Sequence, residues 1–169
     1  IITSQQGKGR FLREIPISQL GEDKQEEMSK NLERYSLYEA YEVRQVLETK
    51  AMDLIVRNAT DSDLDEIETA YQTMLLRFAE TNTTTGEFEL HQLYAKKTGS
   101  VFMEQTLNIV LSTILEMMHT TSHNVMDMHQ VEEEKADHRR IIDALHKRDS
   151  SAAQQAMYDH IQHTLDILQ

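Results

Sequence analysis

The chain has 169 residues, the size of one ordinary domain or of one domain with an arm, and it carries 17 Lys and Arg against 29 Asp and Glu, a formal net charge of −12. That balance excludes a self-contained phosphate-binding surface, which needs clustered cations, and it disfavours an anionic membrane surface as partner. There is no cysteine, hence no disulfide framework or thiolate metal site; no apolar run is long enough to span a bilayer, and the sequence as it stands reads without a signal-peptide pattern.

Residues 1–12 differ from the rest. The sequence begins at Ile1 rather than Met, so it reads as a fragment or a processed product. Gly7 and Gly9 sit between β-branched and aromatic residues, a pattern that predicts a tight hairpin. Residues 13–35 hold the one proline, Pro16, and a mixed charged stretch. They read as a linker with at most a helical turn.

From Ser36 on, the pattern is helical, as five glycines and one proline in the whole chain require. A first helix runs from Ser36 to about Asn58, with Leu37, Tyr41, Leu47, Ala51 and Ile55 on one stripe. A second follows Thr60-Asp61 and ends before the threonine cluster 81–85. A third spans about Gly86 to Lys97 and stops at Gly99. Ser100 caps a fourth, strongly apolar helix reaching Met118. After an ambiguous stretch, a fifth covers about Val125 to Lys147, and a sixth starts at the Asp149-Ser150-Ser151 turn. The expected fold is an all-α antiparallel bundle of about six helices over residues 36–169.

Certain polar residues point inward. Helical residues advance by about 100° each, so faces follow from spacing. His160 shares its face with Ala153, Ala156, Met157 and Thr164; His138 shares its own with Val131, Ile141, Ile142 and Leu145. The two histidines lie eleven residues either side of Asp149. In an antiparallel hairpin both then stand at one level, roughly 16 Å from the turn. His91 is a third, and Glu87 precedes it by one turn on the same face. A carboxylate and three imidazoles suit a divalent transition metal with an open position. Each histidine alone is more often a hydrogen-bonded core residue than a ligand; two at one level across a hairpin strengthen the metal reading.

His119, His123, His129 and His146 read as surface residues, and His163 lies off the centre of its stripe. Arg44 faces Leu37, Ala40, Tyr41, Leu47 and Ala51, so it needs a buried anion. Two readings stay open: an intrahelical pair with Glu48, or a bidentate clamp for a ligand carboxylate. Most of the nine methionines read as core filler, and the run Glu132-Glu133-Glu134 as a solvated face. Asn108, Ser112 and Thr113 on the fourth helix are able to offer hydrogen bonds to a ligand or to face water.

The closing stretch DHRRIIDALHKRDSSAAQQAMYDHI (137–161) resembles the end of the FadR C-terminal (FCD) domain, the effector-binding domain of GntR-type bacterial transcription regulators. The stretch YEVRQVLETKAMDLIVRNATDSDLDEI (41–67) resembles that domain's opening helix, and 86–94 its acidic-x-x-x-His helix. The GKGRF at 7–11 is similar to the wing hairpin that ends the family's winged helix-turn-helix.

The resemblance implies a helical bundle with a central ligand and metal cavity, in a cytoplasmic homodimer that meets operator DNA through a domain upstream. It implies a divalent metal, zinc first and nickel, manganese or iron otherwise, on Glu87, His91, His138 and His160. Glu87 replaces the usual Asp, Leu90 the usual Phe, and Ser100 the usual Asn. It further implies a small carboxylate effector on the metal and on Arg44, with Ser100 and Asn108 as further contacts, and no catalytic residue. Two alternatives stand beside it. A metal-dependent enzyme acting on a small organic acid or ester would need a second inward acid-base group, for which Glu48 is the candidate. A metal-free regulator binding acyl ligands is disfavoured by three inward histidines.

Overall fold

The computed structural model describes residues 2–5, 9–12, 22–81, 86–120 and 128–169. Two strands, β1 (Ile2–Gln5) and β2 (Gly9–Leu12), pair antiparallel with Ile2 opposite Leu12. Six helices follow among the described residues: α1 (Glu22–Asn58), α2 (Asp61–Thr81), α3 (Glu87–Lys97), α4 (Val101–Thr120), α5 (Met128–His146) and α6 (Ser150–Leu168). All six expected helices are present. The stretch read as a linker differs, because α1 is already helical from Glu22 and Ser36 lies inside it. Residues 30–35 of α1 are exposed and carry no buried apolar stripe, and the core begins at Leu37.

α1 is the axis of the bundle, about 55 Å long at the usual rise per residue. It packs chiefly against α6 and α4, while α5 pairs with α6, α3 with α4, and α2 with α5. Leu37, Tyr41, Met52 and Ile55 of α1 meet Leu107 and Ile114 of α4 and Met157, Ile161 and Leu165 of α6 in one core. No helix among the described residues is long and apolar enough to cross a membrane.

The connections that set register are chemically specific. Thr60 and Asp63 exchange hydrogen bonds at the start of α2: the Asp63 amide donates to Thr60 Oγ1 at 3.2 Å, and the Thr60 amide to Asp63 Oδ2 at 2.8 Å. Gly86, at φ 105, brings the chain into α3 one residue before Glu87, a conformation that L side chains rarely adopt. Between α5 and α6 the Arg148 amide donates to Leu145 O at 2.9 Å and the Asp149 amide to Ala144 O at 3.0 Å. This double bond pattern closes a helix C-terminus around one left-handed residue. Asp149 then caps α6, its carboxylate accepting from the Ala152 amide at 3.0 Å. One residue thus ends α5 and opens α6, which places His138 and His160 at matched levels.

Candidate metal centre

Glu87 and His91 come from successive turns of α3, His138 from α5 and His160 from α6, and all four are buried. Each offers a ligand atom such that the four atoms lie within 4.8 Å of one another. The His91 and His160 Nε2 atoms are 3.2 Å apart; Glu87 Oε1 stands 3.6 Å from the first and 3.9 Å from the second. Ligand atoms held about 2.1 Å from one ion are separated by roughly 3.0–3.4 Å, so the observed spacing is close to that of a shared coordination sphere. The His138 ring lies 4.6 Å from His160 and 5.0 Å from His91, centroid to centroid.

What surrounds the rings decides which nitrogen faces the centre. His91 Nδ1–H donates to Glu48 Oε2. His138 Nδ1 lies 3.4 Å from Tyr94 Oη. His160 Nδ1 is flanked by two carboxylates, Glu134 Oε2 at 3.4 Å and Asp137 Oδ2 at 3.7 Å. His160 Nδ1 itself is buried and makes no hydrogen bond. When both Nε2 atoms are deprotonated, the His91 and His160 lone pairs confront each other across 3.2 Å. A positive charge between them, whether a proton or a metal ion, removes that repulsion. His138 Nε2 is buried and makes no hydrogen bond.

Electrostatics point the same way. Burial, aided by the Arg44 charge, holds His91 well below the usual imidazole range, so it is neutral and able to ligate. Burial and the neighbouring histidines do the same for His138. For His160 burial also pulls down, but Glu134, Asp137 and Glu87 outweigh it and raise the pKa. The residues present therefore fit a divalent transition metal: three imidazoles, one carboxylate, two imidazole nitrogens without a hydrogen bond and an excess of nearby negative charge.

Arg44 stands beside this cluster with 1 % of its surface exposed. Its Nε donates to Glu48 Oε1 at 2.7 Å, so the intrahelical pair forms. Its Nη2 is 3.5 Å from Glu87 Oε1 yet makes no hydrogen bond, which leaves one donor for a ligand. The guanidinium lies 5.2 Å from the Tyr41 ring and 5.4 Å from the Phe88 ring, which hold it in place. Glu48 has two duties, bonding Arg44 with one oxygen and His91 with the other. An acid tied at both oxygens is a poor proton shuttle.

The remaining expected residues sit elsewhere or are otherwise engaged. Ser100 Oγ accepts from the Met103 amide at 3.3 Å and caps α4. Asn108 keeps a buried Oδ1 without a hydrogen bond. The Ser112 and Thr113 hydroxyls donate to carbonyls one turn back, Asn108 O and Ile109 O, and both residues are exposed. His146 is exposed, while His163 Nδ1 contacts Asp137 Oδ2 at 2.8 Å. His123 and the side chains of His119 and His129 lie outside the described residues.

Glu134 corrects the expectation of a solvated acidic run. Glu132 and Glu133 are exposed, but Glu134 is 6 % exposed beside His138 and His160. Burial pushes its carboxyl up to about 8, with Glu87 and Asp137 adding to the rise and His160 and Arg44 opposing it. The wheel that placed His138 inward places Glu134, one turn earlier, on the same face.

Together these features define an all-helical module that gathers a carboxylate, three imidazoles and a guanidinium at one buried point. The FCD domain model matches residues 39–163. The HTH-type transcriptional regulator LutR of Bacillus subtilis (strain 168) is 24 % identical over 173 residues, covering 99 % of this chain and 77 % of that protein. Among solved structures, Streptococcus agalactiae GntR superposes with a TM-score of 0.65 at 20 % identity over 98 % of this chain and 74 % of that one. E. coli McbR/YncC gives 0.66 at 13 % identity over 99 % and 76 %. The chain belongs to the FCD domain family, the helical module of GntR-type transcription regulators.

Proposed function

We propose that this chain is the effector-sensing part of a GntR-type DNA-binding transcription regulator. Residues 1–12 form the end of a winged helix-turn-helix wing, residues 13–35 link it to the bundle, and 36–169 make the sensor, α1 running from the link into the sensor. Glu87, His91, His138 and His160 hold a divalent transition metal, with zinc the first candidate for a nitrogen-rich, four-donor site. When bound, that ion offers an open, positively charged coordination position to a carboxylate.

The chain's own residues do the rest. Glu48 and Tyr94 orient the His91 and His138 rings, and the Glu134 and Asp137 carboxylates face His160 Nδ1. Arg44 presents its free Nη2 to the acid group of a small effector. The effector changes operator binding only by favouring one of two arrangements of a homodimer. The observation that carries this reading is the convergence of four donor atoms from three helices within 4.8 Å.

The test is elemental analysis of protein purified without a histidine tag, followed by the variants Glu87→Ala and His138→Ala. About one equivalent of metal in the wild type and a large loss in both variants is expected. Unchanged metal content in both would sink the site. A thermal-shift screen of small carboxylates on the metal-loaded chain tests the effector, since a ligand of the native state raises the melting point by mass action.

A further inference from the structure

Tyr41 stands one turn before Arg44 on the same face of α1. It is 4 % exposed, and its ring lies 5.2 Å from the Arg44 guanidinium. Its hydroxyl donates to Met118 Sδ at 3.6 Å. A thioether is a weak acceptor, and a buried tyrosine hydroxyl ordinarily finds a better one. Tyr71 shows the ordinary case, its hydroxyl donating to Lys135 O at 3.0 Å. Arg44 has a matching defect, since its Nη2 is buried and makes no hydrogen bond.

Two neighbouring buried donors thus have, between them, one sulfur as acceptor. Neither titrates near neutral pH. The guanidinium stays charged, and burial raises the Tyr41 pKa, against the pull of Arg44 and with a further push from Glu87 and Glu134. Donors left in this way are costly, and one group with two acceptor oxygens satisfies both. Met118 is the movable element. It is partly buried, and its unbranched side chain turns about three bonds, so it is able to leave the hydroxyl without a shift of α4.

We propose that Tyr41 is a second effector-binding residue: the ligand's carboxylate accepts from Arg44 Nη2 and from Tyr41 Oη together, and takes the place of Met118 Sδ at the hydroxyl. This rests on the carboxylate-sensing reading above and adds a residue to it. A tyrosine kept for packing alone would lose only a sulfur contact with its hydroxyl.

The test titrates acetate, lactate, succinate and citrate into the zinc-loaded chain by calorimetry. Acids that bind the wild type should bind Tyr41→Phe at least tenfold more weakly, about the size of one hydrogen bond to a charged group. Zinc stoichiometry and melting point should not change. Met118→Leu removes the competing acceptor and should bind the same acids no more weakly than wild type. The chain has six tyrosines and no tryptophan, so binding should also change the near-ultraviolet tyrosine absorbance, and Tyr41→Phe should abolish that change. Equal affinity of wild type and Tyr41→Phe overturns the inference and leaves the carboxylate reading in place. So does loss of zinc from Tyr41→Phe, since Tyr41 would then act through the metal centre, and so does weaker binding by Met118→Leu, since the sulfur would then belong to the ligand site. If no acid of the panel binds the wild type, both readings fall. Should Tyr41→Phe fail to fold, the wild-type spectrum decides: binding without a tyrosine signal overturns the inference.

Discussion

Arg44 shows how one side chain couples packing to the site. Its guanidinium lies against two rings, bonded to Glu48 and close to Glu87, with Arg44, Glu48 and Glu87 all buried. Burial alone would weaken its charge, but Glu48, Tyr41 and Glu87 outweigh that and keep it protonated. Replacing it with methionine fills similar volume and strands two buried carboxylates. Arg44→Met should lower the stability of the metal-free chain by about 3–5 kcal/mol, read from urea unfolding. Removing Glu48 as well should recover part of that loss; strictly additive effects would show that the pair is not coupled. The inward placement of Arg44, and Glu48 as its partner, were legible from spacing. The second role of Glu48 was not, because a contact between residues 48 and 91 belongs to the tertiary fold. Glu134 was hidden for a different reason. A run of three glutamates looks solvated by composition, and only its phase relative to His138 separates the buried third member from the two exposed ones.

At the scale of elements, the joint between α5 and α6 carries the most information. Arg148 holds φ 54, a left-handed conformation in which glycine is the natural occupant. Arginine stands there because its side chain has other work. Nη1 donates to Ala59 O at 2.6 Å and Nη2 to Asp61 Oδ1 at 2.7 Å, which staples the end of α1 and the start of α2 to this turn. Arg148→Ala and Arg148→Gly both remove the staple, but only glycine relieves the backbone. The glycine variant should therefore be the more stable of the two by roughly 1–2 kcal/mol in denaturant unfolding. Equal stabilities would mean that the left-handed turn carries no strain.

A neighbouring joint is sensitive to pH. Hydrogen bonds from Lys50, Arg57 and Ser150 hold Asp53 down to about 2, below its ordinary 3.8. A carboxyl depressed by folding stabilises above its unfolded pKa and loses that contribution as pH falls through the folded one. Between those two values the wild type should lose denaturant resistance more steeply than Asp53→Asn. Parallel curves would remove Asp53 from the joint. Helix positions were legible here because the end signals are local: Thr60-Asp61, Gly99 and Asp149 each mark an end by their own chemistry. The stretch of α1 before Ser36 was not, since exposed turns such as those of residues 30–35 leave no periodic trace.

For the whole molecule, the open question is which surface a second copy would cover. α1 and α4 pack side by side, and both leave large apolar residues facing outward: Val43 and Val46 at 51 % and 70 % exposure, and Phe102 and Ile109 at 80 % and 68 %. Single exposed apolar residues are ordinary, but several on two adjacent helices make this face the first candidate for the proposed dimer contact. The formal charge of −12 opposes self-association of two copies, so the apolar contact has to outweigh a repulsion that salt screens. A homodimer formed through this face should tighten as salt rises. Val46→Glu and Phe102→Glu should each weaken it at least tenfold in sedimentation equilibrium, because they add both a buried charge and a like charge. Neither change touches the core, so unfolding midpoints should stay within about 0.5 kcal/mol of wild type. A dimer that persists in both variants, or that loosens with salt, would place the seam on another face and leave these residues as plain surface.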